Sequence, residues 1–165
     1  MTDVVITSAG ASVGDADYVK DVLDEIGEVN FWKIAMKPGR PLSFGKIGDS
    51  LFFGLPGNPV SVMVTFYQFV LPALRRLSGE ASWQPLRLQA RTLDRLKKQR
   101  GRTEFQRGVL SQDEPGALVV STTGEQGSGI LSSMSQANCF VILPIDSVGA
   151  QLGEVVEVEP FLGLV

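Results

Sequence analysis

The chain has no histidine and a single cysteine, Cys139, among its 165 residues. The first absence removes Ser-His-Asp triads, Cys-His dyads and histidine-bearing zinc sites, and the second removes intrachain disulfides. One cysteine inside the apolar run Cys139-Phe140-Val141-Ile142-Leu143 fits a reducing, cytoplasmic setting. A basic excess is missing too. With 15 Lys and Arg against 18 Asp and Glu, the chain has no overall field to draw in a polyanion, and nucleic acid is not an expected partner. Nor is there a long uninterrupted apolar run. Residues 51–74 carry no charge, but Pro56-Gly57-Asn58-Pro59 breaks them, leaving less than the about 20 residues a membrane span needs, so no membrane partner is expected. Met1-Thr2-Asp3 lacks the basic and apolar regions of a signal peptide.

What remains is 44% hydrophobic, enough for a sizeable core in one domain or two small ones. Val4-Val5-Ile6-Thr7 has the β-branched character of a strand buried on both faces of a parallel sheet. A glycine-containing loop, 8–15, leads to a helix capped by Asp15 or Asp17, with Val19, Val22, Leu23 and Ile26 on one face and Gly27 at its end. A strand over 29–35, a turn over 37–41 and a hairpin of 42–47 and 51–55 around Gly48-Asp49 follow. Asn58 and Pro59 open a long helix to about Leu77, apolar nearly all round, which Pro72 should kink.

Residues 80–85 have the composition of a linker, and beyond them the pattern changes to short strands over 86–93, 104–111, 118–122, 139–143 and 155–158, with a short helix over 130–136. That spacing predicts a small β-barrel or sandwich. A buried type of strand after only three residues, with one helix to cover its sheet, marks residues 1–78 as the latter half of an α/β domain.

Several loops could carry chemistry, and each has a plainer alternative. The loop 7–17 joins a strand to a helix start, a place that attracts phosphate, yet it lacks Walker A and GxGxxG spacing and equally suits an ordinary turn. Asp15 and Asp17 are caps or ligands. Lys33 and Lys37, with Arg40, are cations at strand ends or solvated side chains. Pro56-Gly57-Asn58-Pro59 with Ser61 is a second helix start, either a bare cap or a pocket rim. Two helix starts and three cations from loops that a parallel sheet brings to one edge would form an anion pocket. The basic stretch 91–107 is mainly a solvated face, with one aromatic, Phe105, too few for base stacking. The loop 122–129 is an oxyanion holder through its amides and Ser128, or a flexible turn.

These same segments resemble the MoeA family of molybdopterin molybdenumtransferases and the related gephyrin E domain. The similar stretches are TSAGASVGDADYVKDVL, FWKIAMKPGRPLSFG, GLPGNPVSVMVTFYQFVLP, GRTEFQRGVL, TTGEQGSGILSSMSQANCFVILP and GEVVEVEPF, nearly the whole chain. The resemblance implies an α/β fold: the C-terminal half of a partial three-layer molybdopterin-binding domain (MogA/MoeA-like) over 1–78, then a small C-terminal β-barrel over 79–165. It implies insertion of molybdate into adenylylated molybdopterin with release of AMP, a requirement for Mg2+, and a homo-oligomer, a dimer in the family. Matched by motif, Asp17, Lys33, Lys37, Arg107 and Ser128 would serve catalysis. Gly10, Ser12, Gly14, Pro56, Gly57, Asn58, Pro59 and Ser61 would border the bound molybdopterin. The metal ligands are not identifiable. The family's N-terminal domains and the first half of its molybdopterin-binding domain are not in this chain, which implies that it is inactive alone. The alternative is a gephyrin-like module that binds peptides or acts as a scaffold.

Overall fold

The computed structural model describes residues 2–8, 21–23 and 25–161. Its strands are β1 (Val4–Ser8), β2 (Gly27–Lys33), β3 (Met36–Lys37), β4 (Pro41–Ile47), β5 (Ser50–Leu55), β6 (Leu88–Thr92), β7 (Leu96–Lys97), β8 (Thr103–Gln112), β9 (Leu118–Thr122), β10 (Cys139–Leu143), β11 (Gly149–Ala150) and β12 (Val155–Pro160). The helices are α1 (Pro59–Thr65), α2 (Leu71–Leu77) and α3 (Leu131–Gln136), with a π-helical turn, Phe66–Val70, between the first two. The chain forms two compact units, Met1–Ile34 with Pro38–Trp83, and Ala35–Lys37 with Gln84–Val165.

The first unit is a sheet in the order β1-β5-β4-β2. Only β1 and β5 are parallel; β5–β4 and β4–β2 are antiparallel. Gly48, at φ 57°, makes the tight turn of the β4–β5 hairpin that the sequence predicts. Alternation along β5 sends Phe53 and Leu55 to a cluster with Leu42 and Val70, and Phe52 to a second cluster with Leu23 and Val29. Helical residues therefore lie on both faces of the sheet, not on one. β1 is an edge strand with Ile6 42% exposed, so the expectation of a strand buried on both faces is corrected. On the helix before β2, Leu23 is buried while Val22 and Ile26 are exposed, so the expected apolar face narrows to one described residue. Asp15 and Val19 lie outside the described residues. β2 begins at Gly27 and ends at Lys33, two residues earlier at each end than the sequence suggests.

Asn58 occupies the N-cap position of α1 without a side-chain cap bond, and Pro59 sits in the first turn. Before Pro72, where the sequence predicts a kink, the α-helix is interrupted by the π-helical turn Phe66–Val70. The missing N–H and the ring of Pro72, which would meet the carbonyl four residues back, are accommodated by widening the preceding turn, where the Leu71 amide donates to Phe66 O.

The second unit is a closed barrel. Five strands run β10-β12-β6-β9-β8, and β8 also pairs with β10 to complete the ring. β3 adds in parallel outside the ring, with Met36 opposite Thr103 and Lys37 opposite Glu104. Cys139, Val141 and Leu143 of β10 fill the interior with Ala90, Val120, Val156 and Val158. The alternate residues Phe140 and Ile142 are buried as well, on the outer face. Residues 123–138 link β9 to β10.

Burial pushes the Cys139 thiol up from its ordinary value to about 12. The thiolate is disfavoured in the folded state, so this contribution to stability is complete below the unfolded thiol's pKa near 9.0 and declines as the pH rises toward 12. We expect Cys139 to resist iodoacetamide at pH 8 in the folded protein and to react once denaturant is added. Rapid labelling under native conditions would contradict its burial.

Candidate functional site

In the first unit the strand registers bring several predicted residues to one edge of the sheet. Ser8 pairs with Leu55 at the carboxyl ends of the parallel strands, and the chain continues from Leu55 into Pro56–Pro59. Ser43 opposite Gly54 puts the start of β4 at that edge, and Lys33 opposite Pro41 puts the end of β2 there. Lys33 is exposed, Pro56 and Ser61 are buried, and Gly57, Asn58 and Pro59 are exposed. The edge thus carries a solvated cation and a helix start, whose partial positive charge favours anions.

Thr7, Gly54 and Ser43 form a row across β1, β5 and β4 on the face that also bears Phe52. Ser43 is 1% exposed, and a Cβ placed on Gly54 would run into its hydroxyl oxygen. Gly54→Ala is expected to cost about 1–3 kcal/mol by overpacking. Urea titration measures this, and an unchanged midpoint would show that the row yields freely.

Gly10, Ser12, Gly14 and Asp17 lie outside the described residues. Lys37 requires a correction. It is not in a loop at the sheet edge with Lys33 but in β3, in the barrel unit. Its ammonium lies 3.3 Å from Oε1 of Glu104, which is itself buried and accepts from Gln106 Nε2 at 3.2 Å. In the sequence Glu104 stands out only as an acidic residue within the basic stretch 91–107, inside a strand pattern and two positions from an equally buried glutamine.

Arg107 departs furthest from the expected solvated basic stretch. It is 1% exposed, on the outer face of β8 opposite Phe140, whereas Glu104 and Gln106 lie on the other face. Lys37 and Arg107 therefore do not converge within the barrel unit. The Arg107 Nε donates to Ser133 Oγ at 3.0 Å, and Nη2 donates to the carbonyls of Gly127 at 3.0 Å and Glu125 at 3.5 Å. No carboxylate among the described residues forms an ion pair with it. Burial accordingly pushes its pKa below the ordinary arginine value. Ser128 is half-buried in the loop so held, between exposed Gly127 and Gly129. Arg107 is in contact with the Ser128 loop, its guanidinium facing the carbonyls of Glu125 and Gly127.

Residues 1–76 match the family model described as a probable molybdopterin binding domain, and residues 89–161 match the MoeA C-terminal region, domain IV. The chain belongs to the MoeA family. A molybdopterin molybdenumtransferase of Haemophilus influenzae is 48% identical to this MoeA-family chain over 160 residues, 96% of the chain but 40% of the relative. A gephyrin of Dictyostelium discoideum is 39% identical over 87% of the chain and 23% of its own length. Among solved structures, the molybdopterin biosynthesis MoeA protein from Pyrococcus horikosii aligns with a TM-score of 0.78 and 33% identity, covering 98% of this chain and 38% of that one. The chain thus spans 40% or less of the length of each of these MoeA-family and gephyrin relatives. No helix among its described residues is long and apolar enough to cross a membrane.

Proposed function

We propose that this chain serves molybdenum cofactor biosynthesis, as part of a cytoplasmic, homo-oligomeric protein that inserts molybdate into adenylylated molybdopterin and releases AMP. Residues 1–78 are then the latter half of the molybdopterin-binding domain and residues 79–165 the barrel, and the chain alone is inactive. The observation that carries this reading is Arg107. A buried cation whose described acceptors are all neutral leaves local positive charge under the Ser128 loop, in a chain of net charge −3. An oxyanion at the loop would offset a charge that is otherwise costly to bury.

On this reading Lys33, Pro56–Pro59 and Ser61 of the α/β unit border the molybdopterin substrate, as do Gly10, Ser12, Gly14 and Asp17, which lie outside the described residues. In the barrel unit Arg107 and Ser128 hold molybdate; Lys37, paired with Glu104, does not join them. Lys33 neutralises charge on the leaving phosphate, which lowers the barrier to transfer. The Ser128 hydroxyl and neighbouring amides donate to molybdate oxygens, and Arg107 fixes their position and adds its field. Mg2+ belongs to the implied reaction, but the described residues contain no group of three Asp, Glu, His or Cys side chains able to hold a metal, so no step is assigned to it here.

The decisive experiment follows AMP released from adenylylated molybdopterin when molybdate is added to the complete protein bearing this chain, beside Lys33→Ala and Ser128→Ala variants. Release is expected to need molybdate and to fall about a hundredfold in each variant. Release without molybdate, or variants as fast as the parent, would refute the assignment.

One observation favours a second reading, the peptide-binding module. A cavity of about 320 Å³ on the barrel is lined by Ile142, Leu143, Val155 and Val156 together with Gln89, Ser147, Glu154 and Glu157, and Val155 is 62% exposed. Val155→Asp would weaken binding of a peptide there while leaving AMP release unchanged.

A further inference from the structure

The Ser128 loop is held by a device that runs through Gln126. The β8–β9 ladder pairs Gly108 with Thr122. One step further on, Thr123 keeps one bond of the ladder, its amide donating to Arg107 O at 3.2 Å. The complementary bond is made by a side chain. Arg107 N–H donates to Gln126 Oε1 at 2.7 Å, and Gln126 Nε2 donates back to Arg107 O at 3.2 Å and to Gly124 O at 3.2 Å. A primary amide presents an acceptor and donors with the spacing of a peptide group, so Gln126 stands in for the strand residue that the departing chain no longer supplies.

On the side-chain end of Arg107, Ser133 completes the grip. Its hydroxyl accepts from Nε at 3.0 Å and donates to Ile130 O at 2.6 Å. The loop is therefore fastened to one residue of β8 at both ends, by a glutamine amide before Ser128 and a serine hydroxyl after it. The glycines at 124, 127 and 129 give the loop little rigidity of its own.

We propose that Gln126 and Ser133 are positioning residues that set the Ser128 loop over Arg107 and thereby tune its affinity for a tetrahedral oxyanion. This rests on the molybdate reading above, and the test separates the two. Hydrogen exchange of the amides at 123–129 and calorimetric titration with molybdate, with sulfate as the comparison anion, are measured on the chain and on Gln126→Ala, Gln126→Glu and Ser133→Ala. Gln126→Ala should raise loop exchange and weaken molybdate binding, each about tenfold, while exchange over Cys139–Leu143 stays as in the parent. Gln126→Glu keeps the acceptor and loses the donors, so it should lie between the two. Unchanged loop exchange in Gln126→Ala, or equal molybdate affinity in parent and variant, overturns the inference. If the parent binds no molybdate but the variant's loop still exchanges faster, the positioning role stands and the oxyanion reading falls.

Discussion

Replacing Arg107 by alanine is expected to destabilise the barrel by about 3 kcal/mol and to lower its melting temperature by roughly 10 °C. Two effects add. The Gly127 and Glu125 carbonyls and the Ser133 hydroxyl lose their donors, and a fully buried side chain leaves a void. One effect opposes them: a cation with only neutral acceptors no longer has to be kept out of water. Arg107→Met separates the contributions, because it retains most of the volume and none of the donors. Calorimetric melting of all three proteins decides the matter. Equal stability of Arg107→Ala and the parent would mean that the loop holds itself, and the case for Arg107 as its anchor would be lost.

Phe140→Ala should be costlier still, about 4 kcal/mol. The ring is fully buried, 4.6 Å from Phe161 and 6.2 Å from Phe105 by centroid, in edge-to-face arrangements. It is also the cross-strand neighbour of Arg107, so its loss removes packing beneath the guanidinium. We expect the denaturant midpoint to fall without a change in slope, together with faster exchange in residues 123–129. A midpoint drop confined to the barrel, with loop exchange unaltered, would show that the aromatic cluster and the loop are independent.

The fold was legible where one local rule sufficed. Alternation fixed the hairpin around Gly48, and an apolar run bounded by Asn138 and Pro144 matched β10 residue for residue. Misreadings arose where a distant partner decides. Val4–Ser8 has the composition of a central strand, but whether its outer face is covered depends on neighbours that composition does not name. Lys37 followed the same course: a lysine before Pro-Gly suggests a turn, and only pairing with residue 104, 67 positions away, makes it part of a strand.

The candidate site divides similarly. Lys33 and Pro56–Pro59 do share an edge, but the antiparallel pairings of β2, β4 and β5 bring them there, not the parallel sheet that the sequence suggested. That Arg107 is buried did not follow, because it sits among exposed basic residues, and the loop it contacts is tied to it through Gln126 and Ser133. Polar side chains that replace backbone partners leave no periodic trace, so Gln126 and Ser133 looked like ordinary loop and helix residues.

The π-helical turn before Pro72 has an effect on length as well as shape. Each added helical residue swings everything after it by about 100°, which would carry Leu71 and Leu74 off the packed face. Taking up one extra residue inside Phe66–Val70 cancels that swing, and Leu71 stays buried. A version of this helix with one residue fewer there and no proline at 72 would fill the same space as a plain α-helix, so this turn is where the chain can change length without disturbing the layer above the sheet.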